Sequence, residues 1–343
     1  MNKIHLETPA GATEILIKRN GLDDAKEWIG QNHPSRRLAI ITDSNLNEHY
    51  REKLAEVFRN AVIFVVAAGE DTKNPSEAVQ LIEKLEEVGF DRTDVVIGFG
   101  GGMVTDLAGF TASTYKRGTH YTAIPTSLVA MTDAAIGGKT GVNVRAKNDM
   151  GTFYLAEHVL LDAEFLRTLP ERELNSGMAE VTKYAATLDP SLAEDLMRDE
   201  LDFDTILRKS AQAKVGIVEQ DFKEAGLRQV LNFGHTFGHA IEAKSKYALL
   251  HGEAISIGMI YANKVAQKLG KQAPETDQTI RRLLERFKLP TELPTGMSVE
   301  DLRPYIVKDK KKSGEEISFI IAPEMGKHEM VELTPEELME LIK

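Results

Sequence analysis

Short apolar runs alternate with amphipathic stretches through the first half of the chain. Leu38-Ala39-Ile40-Ile41-Thr42-Asp43 reads as a buried strand, and a helical pattern follows it to about Asn60. Ala61-Val62-Ile63-Phe64-Val65-Val66 is a second strand. Pro75-Ser76-Glu77 then opens a helix whose apolar positions Val79, Ile82, Leu85 and Val88 recur at helical spacing, with Gly89 as its stop. Asp94-Val95-Val96-Ile97-Gly98-Phe99 is a third strand and runs into Gly100-Gly101-Gly102. Strand and helix alternating in this way predict parallel pairing with right-handed crossovers, hence a doubly wound, Rossmann-like α/β domain over residues 1–160. From 161 to 343 long helical patterns take over, at Ala179–Leu188, Phe203–Gln220, Thr236–Lys246, Ala254–Leu269 and Thr279–Phe287. Pro290 to Pro294 interrupts them, and Ile317–Ile321 reads as a late strand. The second domain is expected to be mainly α-helical.

Composition narrows the chemistry. The 343 residues contain no cysteine, which excludes disulfides, thiolate metal sites and cysteine nucleophiles, so a metal must be held by His, Asp, Glu or water. Lys and Arg number 42 against 53 Asp and Glu, and the net charge of −11 argues against wrapping nucleic acid while allowing a local anion pocket. No run approaches the roughly 20 apolar residues of a membrane span. The opening MNKIHLETPA lacks an apolar signal core, so the expected protein is soluble and cytoplasmic.

Several segments carry candidate chemistry. Gly98-Phe99-Gly100-Gly101-Gly102-Met103-Val104-Thr105-Asp106 sits where a strand turns into a helix, a place suited either to a pyrophosphate or to a tight structural turn. It departs from the usual dinucleotide fingerprint at Met103. Asp43, at the end of an earlier strand, is either a ribose ligand or a helix N-cap. Gly69-Glu70-Asp71-Thr72-Lys73 follows another strand, at the edge where α/β ligands gather. Gly137-Gly138-Lys139-Thr140-Gly141, preceded by Asp133 and followed by Lys147-Asn148, can present amides and ammonium groups to an anion. In the second half, His235 and His239 stand at i and i+4 on one helix face, with His251 further on and Glu180 in an apolar helix. Spacing leaves open which of the three histidines ligate a metal. Lys183, Arg228 and Asn232 lie in the same segments and suit a small oxygenated anion.

Taken together, the blocks resemble the 3-dehydroquinate synthase family. They run in order through Gly69-Glu70…Lys73, Gly100-Gly101-Gly102…Asp106-Leu107-Ala108-Gly109-Phe110, Tyr115-Lys116-Arg117-Gly118 and Ile124-Pro125-Thr126. They continue through Gly137-Gly138-Lys139-Thr140-Gly141-Val142-Asn143, Lys147-Asn148, Ala179-Glu180-Val181…Lys183-Tyr184, Leu231–Glu242 and His251-Gly252-Glu253-Ala254. The resemblance implies a lyase that uses NAD and a divalent metal, zinc or cobalt. Its substrate would be 3-deoxy-D-arabino-heptulosonate 7-phosphate. Transient oxidation, phosphate elimination, re-reduction and intramolecular aldol closure would give 3-dehydroquinate and phosphate. The family's metal ligands fall on Glu180, His235 and His251, which leaves His239 as a hydrogen-bonding or proton-relay residue. Asp133, Lys139, Asn148, Lys183, Arg228 and Asn232 would surround the substrate with it. The cofactor would meet Asp43, Gly69, Glu70, Lys73, Gly101, Gly102, Thr105, Asp106, Thr126, Ser127, Lys139, Lys147, Phe165 and Thr168, with the Thr105 side chain beside the pyrophosphate. Arg117 matches an arginine that reaches the substrate phosphate across a homodimer interface. Lys310 matches a lysine of an Asp-Lys-Lys stretch, which lifts the run Lys308–Lys312 above a solvated turn. The rivals are another sugar-phosphate cyclase, such as 2-deoxy-scyllo-inosose synthase or a valiolone-type synthase, a metal-dependent polyol dehydrogenase releasing NADH, and a protein that only binds NAD and metal.

Overall fold

The three apolar runs read from the first half of the sequence become strands of a seven-stranded sheet, two of them inner and one at its edge. The computed structural model describes residues 2–310 and 316–342, with the side chains of 308–310 outside that description. The chain opens with β1 (Lys3–Thr8) and β2 (Gly11–Ile17), then α1 (Leu22–Asn32), β3 (Leu38–Asp43), α2 (Ser44–Val57), β4 (Val62–Val66) and α3 (Pro75–Glu87). It continues with β5 (Val95–Gly100), α4 (Gly102–Thr114) and β6 (His120–Pro125). A separate antiparallel ribbon of β7 (Lys139–Val142) and β8 (Met150–Phe153) follows, and β9 (His158–Leu161) returns to the main sheet.

The order across the sheet is β1-β2-β9-β6-β5-β3-β4, parallel throughout except for the β1–β2 hairpin. All six residues of β5 are buried, as expected for a central parallel strand covered on both faces. After β4 the chain reverses direction across the sheet to form β5, so a topological switch lies between β3 and β5. Asp43 and the triple glycine stand at its carboxyl edge. The β1–β2 hairpin was not among the expected strands: its weak polar–apolar alternation leaves β1 mostly exposed at the sheet edge. The α3 stripe is also rotated from the expected one. Ala78, Leu81 and Leu85 are buried, whereas Val79 and Val88 are exposed, and α3 packs against α4.

The chain divides into two units, Met1–Leu169 with Lys214–Lys223, and Pro170–Ala213 with Glu224–Lys343; the expected boundary stood at residue 160. The second unit contains α5 (Glu171–Thr187), α6 (Ser191–Leu196), most of α7 (Phe203–Gln220), α8 (His235–Lys244), α9 (His251–Lys268), α10 (Pro274–Arg286) and α11 (Arg303–Lys310). The hairpin β10 (Ile317–Ile321)–β11 (Glu329–Leu333) and α12 (Pro335–Leu341) complete it. Acidic Glu171 and Glu173 favour the start of α5, and every residue from Ser176 to Thr187 is buried. That helix is therefore central, and its polar residues must be paired. Among the described residues no helix is long and apolar enough to cross a membrane.

Burial of one titratable group in β9 has a measurable consequence. His158 is fully buried, its ring is stacked on Trp28 at 4.7 Å, and neither ring nitrogen has a hydrogen-bond partner among the described residues. Burial pulls its pKa down to about 4, with Glu14 opposing and Lys3 adding to the shift. The folded value lies below the unfolded one, so the folded state binds fewer protons between about pH 6.5 and 4. Stability is full above that window and falls as pH drops through it, by about 3 kcal/mol from this residue. His158→Phe, which keeps a stacking ring without a proton to gain, should flatten the urea-stability profile over that range. Parallel profiles would remove the assignment.

Candidate active site

In the first unit, the glycine turn between β5 and α4 is built by close approach. A Cβ on Gly100 would stand 2.5 Å from Val104 Cβ, so only glycine lets the first turn of α4 close onto the strand. Gly101 is the N-cap, has no side chain to cap the helix, and lies near Ser127 and Ala134 together with Gly102. Thr126 N donates to Gly100 O at 2.9 Å, which holds the Thr126–Ser127 segment beside the loop. A backbone this open at a helix N-terminus fits a pyrophosphate. Thr105 is 2% exposed, and its hydroxyl donates to Gly102 O at 3.2 Å. Its side chain is thus packed against its own helix turn.

A polar network surrounds this loop. Lys73, buried to 3% exposure, donates to Asp106 Oδ2 and to Asn148 Oδ1. Burial raises the Asp106 pKa, and the Lys73 ammonium opposes the rise. Asn143 joins the set: its Nδ2 donates to Glu70 Oε1 at 2.9 Å, and its Oδ1 accepts from Asn148 N at 2.7 Å. Asn148 adopts φ +57°, a left-handed conformation that asparagine tolerates. Asp106, Gly138 and Lys139 also line one small recess. Gly69, at φ +115°, precedes the turn that carries Glu70. Lys147 is half-buried in the β7–β8 connection.

Asp43 is the N-cap of α2, its Oδ1 accepting from Asn45 N at 2.9 Å and Leu46 N at 3.0 Å. That is the structural one of its two expected roles. Phe165 and Thr168 lie in the turn Ala163–Thr168, where Phe165 meets Tyr50 and Phe99 edge-on and the Thr168 hydroxyl bonds that of Tyr50 at 2.8 Å. Asp133 lies in a π-helical turn, and its carboxylate accepts from Lys214 Nζ at 2.8 Å. Arg117 is exposed in a turn at φ +67°. Lys310 ends α11, and its side chain lies outside the described residues.

In the second unit, α5, α8 and α9 pack together and bring Glu180, His235 and His251 to one point. Glu180 is fully buried. Its Oε1 lies 3.2 Å from His251 Nε2 and 3.6 Å from His235 Nε2, while Oε2 pairs with Lys183. Ligands bound at about 2.0 Å around a tetrahedral zinc are about 3.3 Å apart, so these three atoms suit one divalent ion. Both imidazoles are oriented from behind: His235 Nδ1 faces Phe233 O at 3.1 Å, and His251 Nδ1 faces Glu242 Oε2 at 3.2 Å. Burial pulls the His235 pKa down to about 3, which leaves it neutral and ready to ligate. For His251 burial also lowers the pKa, but hydrogen bonds to and charges on Glu180 and Glu242 carry it to about 9, so a metal must displace a proton there. His239 is exposed on α8, its ring 5.2 Å from that of His235 and 6.0 Å from that of His251. Arg228 is buried in the turn Leu227–Asn232, and Asn232 Nδ2 donates to Glu224 at 3.3 Å.

Family descriptions match both halves: 3-dehydroquinate synthase N-terminal over residues 63–176, and 3-dehydroquinate synthase C-terminal over 177–312. The chain belongs to the 3-dehydroquinate synthase family. The 3-dehydroquinate synthase of Streptococcus suis is 39% identical over 99% of each chain, and that of Pyrococcus abyssi 44% identical over 88% of this chain and 91% of its own. A solved structure of 2-deoxy-scyllo-inosose synthase, complexed with carbaglucose-6-phosphate, NAD+ and Co2+, has the same fold, with a TM-score of 0.89 at 23% identity over 99% of each chain. ValA, a 2-epi-5-epi-valiolone synthase from Streptomyces hygroscopicus with NAD+ and Zn2+ bound, reaches 0.85 at 27% identity, covering 95% of this chain and 94% of its own. As a 3-dehydroquinate synthase family member the chain is an enzyme of the cyclase and lyase type. Two residues beside the expected sites of this 3-dehydroquinate synthase fold went unassigned in the sequence. Glu242 was in view inside a recognised block but had no role. Lys214 is 4% exposed and continues the stripe Leu207, Ala211, Val218 on α7, and a lysine in an apolar stripe is a signal that the periodicity could have supplied.

Proposed function

We propose that this chain converts 3-deoxy-D-arabino-heptulosonate 7-phosphate to 3-dehydroquinate and inorganic phosphate, acting in the cytoplasm as a homodimer. The observation that carries the reading is the meeting of Glu180, His235 and His251 on three packed helices, in a chain whose two halves both match the 3-dehydroquinate synthase descriptions. NAD would be held at the Gly100–Gly102 turn and zinc or cobalt by Glu180, His235 and His251. When bound they would supply reversible hydride acceptance and polarisation of a substrate oxygen. Glu242 would fix the His251 ring with Nε2 toward the ion. Lys183 and Arg228, both almost fully buried, would neutralise the carboxylate and phosphate charge, with Asn232 and His239 bonding hydroxyls. In the first unit, Lys139, Lys147, Asn148 and Asp133 would set the remaining polar contacts to substrate and cofactor. Lys310 would add a further cation. Arg117, exposed in its turn, would reach the phosphate of the partner subunit's substrate.

The whole reaction leaves the carbon skeleton at its original oxidation level, because one C–O bond to phosphate breaks and one C–C bond closes within the same molecule. Incubation with the heptulosonate phosphate, NAD and a divalent metal should therefore release phosphate in proportion to substrate with no net absorbance at the NADH band. Net NADH would make the protein a polyol dehydrogenase. Turnover of glucose 6-phosphate in place of the heptulosonate would make it an inosose-type cyclase.

A further inference from the structure

At the amino edge of the first unit's sheet, opposite Gly100–Gly102, three side chains unused by the proposed reaction face one another. His33 follows the last turn of α1, His120 opens β6, and Glu157 immediately precedes β9. His33 Nε2 is 2.9 Å from Glu157 Oε2, and His120 Nδ1 is 2.5 Å from Glu157 Oε1. The two imidazole centroids are 4.0 Å apart. One ligand atom from each of the three side chains lies within 4.8 Å of the others.

We propose that His33, His120 and Glu157 form a second divalent transition-metal site, for zinc or a similar borderline ion. Two imidazoles and a carboxylate are the ligand types such ions accept in a protein without thiols. Sheet register sets His120 opposite Val95, and backbone bonds that do not depend on the side chains fix the other two positions. His33 N donates to Ile29 O at 2.7 Å, and Glu157 N to Tyr121 O at 2.8 Å, while Glu157 O accepts from Glu14 N at 2.9 Å. Trp28 meets the His33 ring edge-on at 5.8 Å and supplies an apolar wall. The side chains are 9%, 35% and 38% exposed for His33, His120 and Glu157, which leaves an entry path and room for water as a fourth ligand. Hydrogen bonding to Glu157 would be satisfied with the rings well apart; their close approach on one carboxylate is what an ion would use. On binding, the ion takes the place of the hydrogen bonds to Glu157, and each ligating imidazole, neutral in that role, carries its single proton on the ring nitrogen turned away from the ion. A bound ion would tie the end of α1 to the starts of β6 and β9 and stabilise the folded unit by mass action.

The test uses the full chain with metal ions alone, zinc for stoichiometry and copper for quenching. After equilibrium dialysis with Zn2+, elemental analysis should find about two equivalents in the wild type. It should find about one in Glu180→Gln and about one in His33→Ala/His120→Ala, the latter with unchanged turnover once the Glu180 site is loaded. Trp28 is the only tryptophan of the chain, so its fluorescence reports on this site without any variant. Paramagnetic Cu2+ should quench it in the wild type and in Glu180→Gln, and the quenching should be lost in His33→Ala/His120→Ala and in the milder His120→Gln. One zinc in the wild type, no quenching of Trp28 there, or quenching that survives His120→Gln would overturn the proposal.

Discussion

Replacing Glu180 by glutamine is expected to abolish metal retention at the helical site and to lower kcat/KM by about three orders of magnitude. The side chain is fully buried, and one oxygen faces the Nε2 atoms of both His235 and His251. Glutamine keeps the shape and removes the charge that a divalent ion needs from this three-residue ligand set. Lewis-acid polarisation is worth several kcal/mol in a transition state, and about 4 kcal/mol corresponds to a factor of about a thousand. A second effect comes with the first. The other oxygen of Glu180 pairs with Lys183, which is 1% exposed, so the variant strands a buried ammonium. Breaking such a pair costs about 3–5 kcal/mol, whereas removing both charges is far cheaper. Glu180→Gln/Lys183→Met should therefore recover much of the urea stability of the metal-free protein while recovering no activity. Measuring metal in a His33→Ala/His120→Ala background isolates this site from the one at the sheet edge. A glutamine variant that kept its metal and its turnover would remove Glu180 from the ligand set.

The parts of this protein that sequence makes legible are those whose local rule and tertiary role agree. The parallel strands β3 and β5 are continuous apolar runs because both faces are covered, and Phe203–Gln220 and Ile317–Ile321 appear with the expected ends. The glycine turn is legible because Gly100 answers a steric demand from Val104 four residues on. Disagreement begins where a residue has more than one use. Asp43 is equally suited to a cap and to a ribose, and only the bonds to Asn45 N and Leu46 N show the cap. Thr105 follows the loop in sequence, yet helix geometry turns its hydroxyl back onto Gly102 O. Among the histidines, spacing pairs His235 with His239, because an i,i+4 rule knows only one helix. The convergence of His235 with His251 and Glu180 depends on three helices packing, which no local pattern contains. Family resemblance supplied that grouping where periodicity could not.

The packing that brings those ligands together predicts the second large effect. Gly258→Ala should destabilise the protein by about 3 kcal/mol or more and weaken metal binding, although residue 258 touches no proposed ligand. A methyl there would stand 1.9 Å from Gly234 O, 2.8 Å from Gly238 N and 3.0 Å from Gly234 C, all of them backbone. No rotamer change can relieve that clash, so α8 must move away from α9. Gly234 is already committed: it caps α8 at φ +79°, and its carbonyl accepts from Gly238 N at 2.9 Å. His235 follows it directly, and His251 lies two turns before Gly258 on α9, on the same face. A displacement of α8 therefore separates His235 from His251, and ligand distances tolerate only about 0.2 Å. Gly216→Ala is the control, because a methyl at that position in α7 would meet nothing within 4 Å. It should be neutral or stabilise by up to about 1 kcal/mol. Gly238→Ala should fall between the two, since the nearest obstacle to its methyl, at 2.4 Å, is the flexible end of Ile255, although Ile255 backbone follows at 3.1 Å. Urea midpoints and zinc affinity measured across the three variants should rank Gly258, Gly238, Gly216 in falling severity. A Gly258→Ala protein as stable as Gly216→Ala would mean that contact between α8 and α9 does not set the ligand geometry.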